Sequence, residues 1–181
     1  MRSVRLKGNP SLGDPQFYVI DTNTIFDLHY GKLLPIVFQL PCKFVITNLI
    51  IHELRNPPFH QLSSMGLLVE NLGPDGVKEL MGMMGKYERP SYEDISVLVL
   101  AKSRNTILIT GDEALRLAAA DNNVDCHGTC WLIDYLANQS LISFTQAIAA
   151  YDLIRKNRRN PPFDECKSLL VQWKQRQKLL E

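Results

Sequence analysis

No uncharged apolar run in the 181-residue chain approaches the roughly 20 residues that span a bilayer. The longest, such as Ile95 to Ala101, are far shorter, so no membrane segment is expected. The opening MRSVRLKGNPSLGDP lacks the apolar stretch of a secretory signal. The expected compartment is therefore the cytoplasm, with the four cysteines (Cys42, Cys126, Cys130 and Cys166) as reduced thiols. Net charge is nearly absent: 20 Lys+Arg against 19 Asp+Glu leave +1, so the overall balance points to neither a nucleic acid nor a membrane surface. Glycine-rich phosphate cradles of the G-x-G-x-x-G or G-x-x-x-x-G-K-[ST] kind are missing. Cys126-His127-Gly128-Thr129-Cys130 has no second ligand pair at zinc spacing, and His29, His52 and His60 are scattered. Neither a zinc site nor a His-centred mechanism is expected. Internal repeats and low-complexity segments are also lacking.

What is present reads as one ordinary globular domain. Apolar residues make up 45% and charged residues 22%, which disfavours disorder, collagen and coiled coil. Charge is unevenly placed. Residues 1–10 carry Arg2, Arg5 and Lys7 without an acid, residues 151–181 carry eight bases against four acids, and the centre is consequently acidic. Such a centre suits a cation or acid-based chemistry beside surfaces that attract an anion.

Short β-prone runs alternate with helical patterning. Phe17–Ile20 leads into Asp21-Thr22-Asn23-Thr24 and a helix, and Lys43–Ile46 leads into a second helix that Pro57-Pro58 ends. Gly66–Val69 reads as a strand and Pro74–Tyr87 as a helix with proline in its first turn. Ser91 opens an apolar helix, Thr106–Thr110 is a strand, Asp112–Ala120 a helix, and Val124–His127 a last short strand. This alternation predicts an α/β fold with a mainly parallel sheet flanked by helices. After Thr129 only helices are expected, over Trp131–Leu136, Phe144–Ile154 and Cys166–Leu180. The predicted division is an N-terminal extension (1–16), the α/β domain (17–140) and a helical C-terminal appendage (141–181).

Ligands of open parallel sheets bind beyond the carboxyl ends of the strands, and the residues there are acidic. Asp21 follows FYVI, Asp112 follows ILIT by two, Glu53 lies on the helix after FVIT, and Asp94 opens the helix before ILIT. Each has an ordinary structural explanation: Asp21 and Asp112 as helix caps, and Asp94 in a capping box with Ser91. Glu53, among Ile50, Ile51 and Leu54, is harder to explain that way, because an unpaired charge near apolar surface is costly. Clustered carboxylates repel unless a cation neutralises them, and hard oxygen donors suit Mg2+ or Mn2+. Phosphodiester hydrolysis is the chemistry such a site serves. A haloacid-dehalogenase-like alternative fails at Asn23, where that pattern needs a second Asp.

In FYVIDTNTIFDL, VITNLIIHEL and YEDISVLVLAKSRNTILITGDEALRLAA, taken in order, the chain resembles the PIN-domain ribonucleases, particularly the toxins of VapBC-type toxin-antitoxin pairs. The resemblance covers most of residues 17–122. It implies metal-dependent endonucleolytic cleavage of RNA, with Asp21, Glu53, Asp94 and Asp112 on the catalytic and metal-holding positions and Asn23 and Thr110 on polar positions that support the metal cluster or the substrate. Many such proteins have a further acid two residues beyond the fourth; here that position is Ala114, and Glu113 is the nearest acid. GTCWLIDYLANQSLIS resembles, more loosely, the closing segment of a PIN subgroup. The resemblance further implies an antitoxin whose inserted segment buries apolar contacts, and hence an exposed apolar groove leading toward Asp21 and Asp112. A homodimer is the competing explanation of such a surface.

Arg155, Lys156, Arg158 and Arg159 form a basic run that reads either as an RNA-contacting patch or as a solvated helix end. Met81, Met83 and Met84, with Leu80, read as core before partner-binding face. The rival to the nuclease is a catalytically silent PIN scaffold that binds RNA or a protein.

Overall fold

The computed structural model describes residues 16–157, 159 and 163–179. The basic N-terminal residues, Arg158 and Pro161-Pro162 lie outside the described residues. The elements in chain order are β1 (Gln16–Ile20), α1 (Thr22–Tyr30), α2 (Leu34–Val37), β2 (Cys42–Thr47), α3 (Phe59–Met65), β3 (Leu68–Glu70) and α4 (Pro74–Met84). Then follow α5 (Tyr92–Ser103), β4 (Leu108–Ile109), α6 (Glu113–Asp121), β5 (Cys126–His127), α7 (Thr129–Asn138), α8 (Phe144–Lys156) and α9 (Phe163–Lys178).

The five strands pair in parallel in the order β3-β2-β1-β4-β5. Successive strand residues face opposite sides, yet Tyr18, Val19 and Ile20 are all buried, so both faces of β1 are covered. α5 lies against β1, β2 and β4. Its residues Ile95 to Ala101 are all buried, which is why its apolar pattern shows no one-sided stripe. The chain builds outward from β1 through β2 to β3 and then returns to β1's other edge with β4. That reversal makes the β1/β4 junction a topological switch point, where the strand ends diverge and leave room for a ligand.

Three local expectations are corrected. Asn48–Glu53 is a 3-10 segment rather than an α-helix, because Pro57 and Pro58 leave only a short run in which i→i+3 bonding suffices. Those prolines also introduce α3, whose cap is Pro58, and α2, with Pro35 in its first turn, was not foreseen. The methionine run is split: Leu80 and Met83 are buried, whereas Met81 (64%) and Met84 (37%) are exposed, as helical spacing on a one-sided helix requires.

The helices after residue 140 pack on what precedes them: α8 meets α1, and α9 meets α7 and α8. Ile142, Ala147, Ala150, Tyr151, Ile154 and Trp173 belong to the same buried core as the sheet. Cys130 of α7 and Cys166 of α9 form a disulfide, so the expectation of four reduced thiols is corrected; helix packing brings two buried cysteines 36 residues apart together. Cys42 and Cys126 are free. Among the described residues no helix is long and apolar enough to cross a membrane.

Candidate functional site

Asp21 follows β1 at the switch point. Its N–H donates to Ile109 O (3.1 Å), tying it to β4, and its side chain caps α1 by accepting from Thr24 N (2.8 Å). Thr110 donates its hydroxyl to the other carboxylate oxygen, and Thr110 Oγ1 in turn accepts from Asp112 N (3.1 Å). Asp112 caps α6 through Leu115 N (2.7 Å). One hydrogen-bonded line therefore joins Asp21, Thr110 and Asp112 across two strand ends.

Asp21 is only 2% exposed. Burial pushes its pKa from 3.8 up to about 7; the bonds from Thr110 and Thr24 pull it down, and the charges of Asp94 and Asp27 push it up further. Asp94 is thus close enough to be felt, although its own carboxylate accepts from Ser91 N (2.9 Å) in the capping box of α5. Glu53, at the end of the 3-10 segment, accepts from the hydroxyl of Thr22 (2.5 Å), the neighbour of Asp21. All four acids are therefore linked to the Asp21 corner, through hydrogen bonds, a bonded neighbour or charge. Asp21 and Asp112 are at the same time helix N-caps, and Asp94 completes the capping box of Ser91. Among the described residues no three acid, His or Cys side chains stand together as a ready metal-holding group. Glu113 is exposed in the first turn of α6.

Two buried acids on α1 and its cap differ in one respect. Asp27 has a counter-ion: Arg159 Nε donates to Oδ1 (2.8 Å), and Thr129 Oγ1 donates to Oδ2 (2.8 Å). Burial still raises its pKa, with these two bonds opposing. Asp21 has only neutral donors among the described residues, so its charge is uncompensated. The donors at this corner are all oxygen, the set that a hard divalent cation takes, and among the described residues the buried carboxylate has no positive partner.

Arg159 corrects an expectation. Read from sequence as an RNA contact, it turns inward to Asp27 and also donates to Asn23 O and Asn23 Oδ1 (both 3.0 Å), with its guanidinium over the Phe26 ring. A buried anion outcompetes solvent for a guanidinium whose fork has several donors to place. Arg155 and Lys156 remain exposed, Arg155 bonding Tyr151 Oη (3.4 Å). Asp27 and Thr129 were not singled out in the sequence. The available signal was an acid in IFDL at helical spacing, three residues after Thr24, which is buried.

The cysteine–histidine run serves structure. Cys130 is bonded to Cys166, and His127 stacks on Trp131 with ring centroids 4.1 Å apart. An aromatic-lined recess sits by Tyr18, Cys42, Phe44, Trp131 and Tyr135, where β1 and β2 begin rather than end.

A family model described as a PIN domain (DUF3368) matches residues 17–174. No curated protein matches the chain. Among solved structures, the chain is similar to a PilT N-terminus domain protein, SSO1118, from the hyperthermophilic archaeon Sulfolobus solfataricus P2. The two share 18% identity at a TM-score of 0.45, over 65% of this chain and 90% of that one.

Proposed function

The chain belongs to the PIN domain family, and on that premise we propose that it is a Mg2+- or Mn2+-dependent endoribonuclease. The observation that carries the reading is Asp21: a buried carboxylate without a counter-ion among the described residues, at the switch point of the sheet, with the other three acids linked to its corner. Asp21, Glu53, Asp94 and Asp112 would hold the ion. The chemistry it supplies when bound is a water of lowered pKa and neutralisation of charge on the scissile phosphate. The chain's own residues do the positioning. Thr110 holds the carboxylate of Asp21 in place and is itself held by Asp112 N; Thr22 holds Glu53. Asn23 and Glu113 flank this group, and the exposed Arg155 and Lys156 offer sequence-independent attraction for phosphates.

The resemblance of the Asp21, Glu53 and Asp94–Asp112 segments to VapBC-type toxins supports a finer role as the toxin of a toxin-antitoxin pair. A silent scaffold is the second reading. It is favoured by the capping roles of the acids, the lack of a ready three-ligand group among the described residues, and Ala114 in place of a further acid. Incubation of single-stranded RNA with the protein in Mg2+ or Mn2+, with EDTA and Asp94→Asn controls, separates them. Cleavage abolished by both controls supports the nuclease; intact RNA under every condition supports the scaffold. For the toxin role, light scattering with and without the product of the adjacent gene is expected to show a heteromeric complex with lost nuclease activity. A homodimer alone, uninhibited at micromolar concentration, removes that role.

A further inference from the structure

We propose that Arg159 is a positioning residue that locks the side-chain amide of Asn23 so that Asn23 donates to a phosphate oxygen of the RNA instead of ligating metal. The inference rests on the nuclease reading and names one substrate contact within it. A guanidinium has donors and no acceptor, so the Asn23 atom that faces it must be the oxygen. Arg159 holds that Oδ1 at 3.0 Å and the main-chain carbonyl of the same residue at 3.0 Å. The guanidinium is itself fixed, because Asp27 binds its Nε at 2.8 Å and Thr129 fixes the far oxygen of Asp27 at 2.8 Å. The amide orientation thus follows from a chain of three side chains on three segments: α1, α7 and the stretch before α9.

The free end of Asn23 is therefore its NH2 group. Among the described residues that group donates to nothing, and Asn23 is only half-buried, two residues along α1 from Asp21. An amide NH2 has no lone pair to offer a cation, and the oxygen, which has two, faces the positive guanidinium of Arg159, which repels one. It has two protons to offer, and a phosphate oxygen is the acceptor that the proposed substrate brings.

Asn23→Asp discriminates between the roles. It keeps an oxygen for Arg159 and replaces the donors with a second oxygen, which repels phosphate but is a better metal ligand. Binding of a fluorescein-labelled single-stranded RNA is measured by anisotropy with Ca2+ in place of Mg2+, beside the Mg2+ dependence of cleavage. The expected result is a Kd weakened about 10- to 100-fold, as for loss of a hydrogen bond to a charged group, with half-saturating Mg2+ unchanged. Unchanged Kd, or a lowered Mg2+ requirement at wild-type affinity, overturns the proposal.

Arg159→Ala leaves Asp27 buried and unpaired, so the second test combines Arg159→Met with Asp27→Asn, removing both charges together. That variant is expected to lose RNA affinity as Asn23→Asp does, with Arg159→Lys intermediate. A double variant that unfolds at lower temperature but binds RNA like wild type assigns Arg159 to structure alone and overturns its positioning role. Wild-type protein that binds RNA without cleaving it ends the nuclease reading while the same titrations still decide this one; wild-type protein that binds no RNA ends both.

Discussion

The hydroxyl of Thr110 donates to the carboxylate of Asp21, so the residue that follows β4 holds the residue that follows β1. Parallel pairing of Val19 with Leu108 and Ile20 with Ile109 brings the two together although 89 residues separate them. Thr110 is the largest influence keeping the Asp21 pKa from rising further.

Thr110→Val should remove that donor without changing shape. The buried carboxylate oxygen that Thr110 bonds then lacks a partner, while Thr24 N still holds the other, at a cost of about 1–3 kcal/mol. The loss should be larger at pH 8 than at pH 4, because the bond favours the ionised acid, and Thr110→Ser should restore most of it. Urea titrations at the two pH values measure this; equal losses at both would show that the bond does not serve the charge.

Asp21→Asn should stabilise the metal-free protein. Folded Asp21 keeps its proton up to about pH 7, whereas unfolded it loses it near 3.8, so between those values the folded state binds more protons and stability falls as pH rises. The variant escapes this loss, and its Tm in EDTA should exceed wild type by on the order of 2–4 °C at pH 8, with little difference at pH 4. Cleavage of RNA should meanwhile fall by about two to three orders of magnitude. A Tm gain equal at both pH values would place its origin elsewhere.

The Cys130–Cys166 bridge should be visible as two free thiols instead of four when the denatured, non-reduced protein is titrated. Closing a 36-residue loop limits the unfolded chain, which corresponds to about 4 kcal/mol in the chain-entropy account. Reduction should therefore lower Tm substantially and loosen α9 first, as read by hydrogen exchange.

Trp173 is completely buried and its Nε1 donates to Asp134 Oδ1 (2.9 Å). Trp173→Ala should cost about 3–5 kcal/mol through the cavity and the lost bond, and Trp173→Phe less. A loss under 1 kcal/mol in chemical denaturation would mean that α9 is not part of the cooperative core.

The order of strands and helices was legible in the sequence because strand and helix leave different apolar periods, and because Ser91, Asp112 and the prolines mark ends through local bonding that needs no distant partner. The placing of the four acids at element ends was legible for the same reason: Asp21 and Asp112 follow strands, Asp94 lies in the first turn of α5 and Glu53 closes the 3-10 segment. Which buried carboxylate receives a counter-ion was not legible. Asp27 and Arg159 are 132 residues apart, and only the packing of α8 on α1 and of α9 on α7 brings Arg159 to Asp27 and leaves Asp21 with neutral donors. The pairing of Cys130 with Cys166 was decided in the same way. Local sequence sets which backbone conformations are favourable. The meeting of two charges or two thiols across the chain is set by burial of apolar surface distributed over the whole core, which no single segment encodes.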